Sequence, residues 1–96
     1  PQALDTIKAA QGAGATVKIG TFDTNPDAAQ AVQDGKIEWF IDQQPYLQGY
    51  MAITQLYLYK KNGNVLGGGQ AVLTGPSFVD KSNIAQVLPF IKQNTR

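Results

Sequence analysis

Apolar residues fall along this chain in two kinds of pattern. Short runs at residues 17–22, 37–41 and 70–73, rich in β-branched and aromatic side chains, read as strands. Between and around them, Leu4 with Ile7, then Ala28, Ala29, Ala31 and Val32, then the apolar residues of 45–61, and finally Ile84, Val87, Leu88 and Ile91 recur at helical spacing. The punctuation agrees with this reading. Glycines at 12 and 14 suit the end of a first helix over residues 1–10. Asn25 followed by Pro26 suits the N-cap and first position of a helix over 26–33, which Asp34-Gly35 stops. Pro45 opens the longest helix, 45–61, which closes on Lys60-Lys61-Asn62-Gly63. Residues 77–79 are a further candidate for extended structure. Asn83 with Gln86 makes a capping-box variant for a terminal helix over 84–93, which Pro89 is expected to kink or divide.

The order helix, strand, helix, strand, helix, strand, helix predicts an α/β fold: part of a three-layer sandwich with a parallel sheet and right-handed crossovers. The nearly continuous apolar run 37–41 reads as a strand buried on both faces. Three strands are few for such a sheet, so the chain reads as part of a domain. In the helix over 45–61, Tyr46, Gly49, Tyr50, Ile53 and Tyr57 form one stripe, and Leu47, Met51, Thr54 and Leu58 another beside it. So wide an arc predicts burial against more than the sheet, and its tyrosines read as packing residues. Gly67-Gly68-Gly69 lacks the lysine and Ser/Thr of a phosphate loop and reads as a flexible connection.

Composition acts mainly by exclusion. Ninety-six residues make one small domain, and a net charge of +1 gives no electrostatic reason to bind nucleic acid. With neither Cys nor His, disulfides, thiolate chemistry and a zinc site are excluded as expectations, and no cofactor is expected. No apolar run approaches the roughly 20 residues that cross a bilayer, so no membrane insertion is expected. The chain opens at Pro1-Gln2-Ala3-Leu4 without Met or a signal-peptide pattern, as a mature or trimmed piece of something longer would.

Candidate chemistry gathers where two strands stop. Asp23 follows the first run, and Asp42, Gln43 and Gln44 follow the second. Open α/β sheets place ligands at the carboxyl ends of their strands. A carboxylate accepts from two hydroxyls and an amide both donates and accepts, so these groups suit a polyhydroxylated ligand. They include no nucleophile and no base tuned near neutrality, and the chain reads as no enzyme. The structural alternative for Asp23 is a helix N-terminal anion or a turn former ahead of Asn25-Pro26. Because side chains alternate along a strand, Asp42 and Gln44 are weaker candidates than Gln43. Trp39, in mid-strand, reads as core and not as a sugar-stacking ring.

Several stretches together resemble the C-terminal lobe of type I periplasmic sugar-binding proteins, the ribose-, xylose- and galactose-type receptors of ABC transporters. The resemblance runs through Val17-Lys18-Ile19-Gly20-Thr21-Phe22-Asp23, Ala31-Val32-Gln33-Asp34-Gly35-Lys36-Ile37, Asp42-Gln43-Gln44-Pro45-Tyr46-Leu47-Gln48-Gly49-Tyr50 and Leu73-Thr74-Gly75-Pro76-Ser77-Phe78-Val79-Asp80-Lys81-Ser82-Asn83. It implies that Asp23 and Gln43 hydrogen-bond sugar hydroxyls, with a transporter permease as partner. It also implies a periplasmic location, or an extracellular one with a lipid anchor. Residues 1–74 would be part of the sugar-binding lobe. Residues 75–96 would be a hinge crossing and a helix packed on a missing first lobe, leaving Ile84, Val87, Leu88, Ile91, Phe78 and Val79 to be covered there or by homo-oligomerisation. The effector-binding core of lactose-repressor-type regulators shares the resemblance. A carbohydrate-active enzyme would need two neighbouring carboxylates, for which Asp23 and Asp42 are the available pair.

Overall fold

Residues 1–96 form, in order, α1 (Gln2–Gly12), β1 (Gly20–Phe22), α2 (Pro26–Gln33), β2 (Trp39–Asp42) and α3 (Pro45–Asn62). A 3-10 turn (Gly67–Gly69), β3 (Ser77–Asp80) and α4 (Ile84–Lys92) complete the chain. This computed structural model describes every residue from Pro1 to Arg96. The boundaries of α2 follow from its caps. Asn25 Oδ1 accepts the Ala28 N–H at 2.8 Å, and Pro26 holds the first helical position. At the other end Gly35 has φ 76°, which places its N–H on Val32 O at 3.0 Å and the Lys36 N–H on Ala31 O at 2.8 Å. This closure needs a residue that tolerates positive φ, and it delivers the chain directly into Ile37 and β2.

The start of α4 is built differently from the expected capping box. Asn83 Oδ1 accepts the Asp80 N–H and its Nδ2 donates to Phe78 O, both at 3.0 Å. The amide fastens the corner after β3 and makes no cap bond to the helix. Pro89 does not divide α4, which runs through it; Ile84, Leu88 and Ile91 are buried on either side and hold both halves to one core.

The sheet order is β1-β2-β3. β1 and β2 are parallel, from Gly20 opposite Trp39 to Phe22 opposite Ile41. The third strand is not residues 70–73, which lie outside the sheet, but Ser77–Asp80, and it is antiparallel to β2. Ser77 pairs with Asp42, so β3 begins where β2 ends and must run back along it. The expected all-parallel sheet is therefore a mixed one, because the chain returns to the edge it left.

Phe40 and Val79 face one way from the sheet and are enclosed with Val32, Ile37, Ile84 and Ile91 beneath α2 and α4, which pack on each other. Each such side chain contributes roughly 1.5–3 kcal/mol when fully buried. Ala28, Ala29 and Ala31 let α2 come close. The other face is open. There Trp39 lies across Gly20, where an added Cβ would fall 2.4 Å from the indole, and meets Phe78 edge-on at 5.5 Å between ring centres. Phe22 and Phe78 are exposed on it, so β2 is covered on one face and not, as its apolar run implied, on both.

Two further expectations change. Residues 75–96 do not wait for cover from elsewhere: β3 pairs with β2, and Val79, Ile84, Leu88 and Ile91 complete this core, leaving Phe78 exposed. Ile84, Leu88 and Ile91 recur at helical spacing on one stripe of α4, which packs on α2. Conversely α3, whose wide apolar arc predicted burial against more than the sheet, has no buried residue. Its tyrosines, Ile53 and Leu56 lie in the open on a molecule measuring 60 × 24 × 21 Å.

Candidate functional site

The site is assembled by the parallel pairing of β1 and β2. The Asp23 N–H donates to Ile41 O at 3.1 Å, carrying the ladder one bond beyond Phe22. Asp23 then turns away with φ 67°, which lifts its carboxylate above the strand ends. One strand over, Gln43 leaves β2 and its Nε2 donates to Asp23 Oδ1 at 2.9 Å. The two residues, 20 apart in sequence, share one opening. Both are exposed, and their remaining oxygens, Oδ2 and Oε1, meet no protein donor. A hydroxyl entering between them would find acceptors on both sides and an amide donor.

Asp42 and Gln44 go elsewhere. Phe40 and Asp42 share the covered face of β2, and both are 0% exposed. Asp42 Oδ1 accepts the Gln44 N–H at 2.7 Å, and Oδ2 holds Arg96 Nε at 2.6 Å. No second carboxylate therefore faces Asp23, and the pair that glycoside hydrolysis would need does not share the opening. Gln44 reaches sideways, its Nε2 donating to Thr74 O at 2.6 Å.

That last bond joins the two segments that connect the sheet to α3 and back. Thr74 Oγ1 donates to Gln43 O at 2.8 Å, while Gln48 Nε2 donates to Gln43 O at 2.9 Å and to Thr74 Oγ1 at 3.1 Å. Beside this knot lies a groove of about 330 Å³ lined by Phe22, Ile41, Gln43, Gln48, Leu73 and Pro76, among others. Its size suits a small ligand, with apolar walls and a few polar groups. A second hollow of about 290 Å³, lined by Ile7, Gln11, Thr16, Val17 and Lys36 among others, lies apart from the carboxyl ends of β1 and β2. No group of His, Cys, Asp or Glu side chains is arranged to hold a metal ion, and no helix is long and apolar enough to cross a membrane.

Thr74, Gln48 and Arg96 were not visible as site-related from the sequence. Thr74 stands 31 residues from Gln43 and Arg96 stands 54 from Asp42. Thr74 falls inside a stretch that carries the resemblance, but nothing in that stretch marked its side chain as a partner of Gln43, and Arg96 lies outside every such stretch.

The fold thus brings an exposed acid and an exposed amide together at the ends of paired parallel strands, beside two connecting segments tied to each other by hydrogen bonds. Comparison with known proteins identifies its kind. Residues 1–64 match the periplasmic binding protein domain family, and the chain belongs to it. It is 37% identical over 75 residues to the xylose/arabinose-binding protein XylF of Sulfolobus acidocaldarius, covering 78% of this chain and 18% of that protein. It is also similar to the crystal structure of a carbohydrate transporter from Acidothermus cellulolyticus 11B in complex with myo-inositol. There 98% of this chain superposes on 33% of the other with a TM-score of 0.89 and 49% identity. The chain thus spans about a fifth of the first relative and a third of the second.

Proposed function

We propose that this chain supplies half of the ligand site of a sugar-binding protein that delivers its ligand to a membrane transporter. Asp23 accepts hydrogen bonds from ring hydroxyls, and Gln43 both donates and accepts at a neighbouring one. The observation that carries the reading is the 2.9 Å bond from Gln43 Nε2 to Asp23 Oδ1 at the ends of adjacent parallel strands. The names of the two relatives, one for xylose and arabinose and one bound to myo-inositol, support a pentose or a cyclic polyol as ligand. The family supports a periplasmic or extracellular location and a permease partner.

The structure also favours a division of the chain different from the one expected at 74/75. Residues 1–44 and 75–96 share one core, whereas α3 and residues 63–73 hold no buried residue. In this reading the chain leaves the lobe at Asp42–Pro45, contributes α3 to the opposite lobe, and returns at Thr74–Ser77. A second lobe, and not a second copy, then covers α3 and closes over the sugar, excluding the water that competes for Asp23 and Gln43.

Isothermal titration of the intact protein with myo-inositol, D-xylose and L-arabinose tests this. Saturable binding of at least one polyol, with no chemical change in it, is expected. Absence of heat with every member of a wider panel of monosaccharides and sugar alcohols would contradict it.

A further inference from the structure

The hydrogen bonds at the two crossings converge on a single peptide unit. The Gln43 carbonyl and the Gln44 N–H belong to one planar group. Its oxygen accepts from Thr74 Oγ1 at 2.8 Å and from Gln48 Nε2 at 2.9 Å. Its N–H donates to Asp42 Oδ1 at 2.7 Å, and the other oxygen of that buried carboxylate is held by Arg96 at 2.6 Å. The plane is therefore fixed from both ends, by the crossing at residue 74, by α3 and by the last residue of the chain. Gln44 beside it is left-handed, at φ 55° and ψ 59°. A non-glycine residue keeps such a conformation where its surroundings over-determine it. The Cα–Cβ direction of Gln43 follows from the orientation of this peptide, and its amide arrives 2.9 Å from Asp23.

We propose that Thr74 and the Asp42–Arg96 pair are positioning residues for Gln43: they lock the 43–44 peptide so that the Gln43 amide is held on Asp23, ready for a ligand, before any ligand arrives. The consequence for sugar affinity rests on the function proposed above, but the lock itself is a property of the free protein. Gln43 is exposed, and without the lock its amide would sample several rotamers and would have to be ordered when ligand binds. Thr74 carries the lock and touches Gln43 only at its backbone, so removing one hydroxyl separates positioning from contact.

The experiment compares Thr74→Val, which keeps the shape and loses the hydroxyl, with Thr74→Ser, which keeps the hydroxyl, in the intact protein. The first readout is the side-chain amide resonance pair of Gln43 by 1H–15N NMR without ligand. Wild type and Thr74→Ser are expected to share one distinct pair, and Thr74→Val to move it to the values of a free glutamine. Arg96→Gln, acting from the other end of the peptide, is expected to move it the same way. The second readout is the myo-inositol dissociation constant. Thr74→Val is expected to raise it about tenfold and Thr74→Ser less than about twofold, on the scale of one hydrogen bond. In a Gln43→Ala background Thr74→Val is expected to add nothing, because the two act as one unit. An unmoved Gln43 amide in both Thr74→Val and Arg96→Gln would overturn the proposal, as would an undiminished Thr74→Val effect in the Gln43→Ala background. If the wild-type protein binds no polyol, the sugar reading fails while the amide resonance still decides the lock.

Discussion

The α2–α4 layer and α3 are made of similar amounts of apolar sequence and have opposite fates. In α4, Ile84, Leu88 and Ile91 recur on one stripe, and all three are buried against α2 and the sheet. In α3 the apolar residues run around the cylinder, from Tyr46 and Leu47 through Tyr50, Ile53 and Leu56 to Tyr57, Leu58 and Tyr59, and none is buried. A one-sided stripe is satisfied by one neighbour. A helix with so wide an apolar face needs cover on several sides, and the 96 residues supply only partial cover, at Met51 and Thr54 for example, and bury no residue of it. The contrast teaches that a pattern states how much cover a helix needs without stating where the cover comes from.

The largest effect should separate the two regions directly. Phe40→Ala removes a fully buried ring from the core and is expected to destabilise the 96-residue chain by roughly 3–5 kcal/mol in denaturant unfolding. Ile53→Ala in the same chain should change stability by less than about 0.5 kcal/mol, yet cost about 2–5 kcal/mol in the intact protein if a second lobe covers α3. An Ile53→Ala cost in the short chain equal to that of Phe40→Ala would break the comparison.

Next comes the joint between the regions. Asp42→Ala strips Arg96 of its buried partner and frees the Gln44 N–H. Because Arg96 is 28% exposed and can rehydrate, the expected loss is about 1–3 kcal/mol, below that for a wholly buried pair. A stability equal to wild type in urea titration would show that the crossing is not anchored there.

The smallest effect lies at the corner after β3. Hydrogen bonds from the Ser82 hydroxyl, then from the Ser82 N–H, hold the Asp80 carboxyl below its ordinary value, and burial opposes them only in part. A carboxylate whose folded pKa is depressed stabilises the fold above its unfolded pKa of about 3.9 and loses that contribution as pH falls through the lower folded value. Asp80→Asn should therefore be slightly less stable than wild type at pH 7 and indistinguishable from it near the acid end. A gap that persists unchanged in acid would assign the effect to packing.

Much of this was legible in the sequence because the deciding forces are local. Asn25-Pro26 and Asp34-Gly35 fix α2 through bonds spanning a few residues, and the apolar runs before Asp23 and Asp42 place both strand ends. The juxtaposition of Asp23 with Gln43 followed from parallel pairing alone. The misassigned third strand had a long-range cause. Residues 70–73 and 77–80 are both short and apolar, and the choice between them rests on pairing with Trp39–Asp42, more than 30 residues earlier. Asn83 is a residue type that commonly caps helices, but here its amide bonds the Asp80 N–H and the Phe78 carbonyl instead. The ties from Thr74 and Arg96 to the 42–44 segment leave no periodic trace.

The central claim is that the two strand ends jointly grip a polyol, and Asp23 is its most exposed point. Titration calorimetry of the intact protein, wild type against Asp23→Ala, with the polyol it binds, measures the claim directly. Loss of a charged hydrogen-bond acceptor is expected to weaken binding by about 1.5–3 kcal/mol, or roughly 10- to 150-fold in dissociation constant. An unchanged dissociation constant in a folded Asp23→Ala protein would contradict the account.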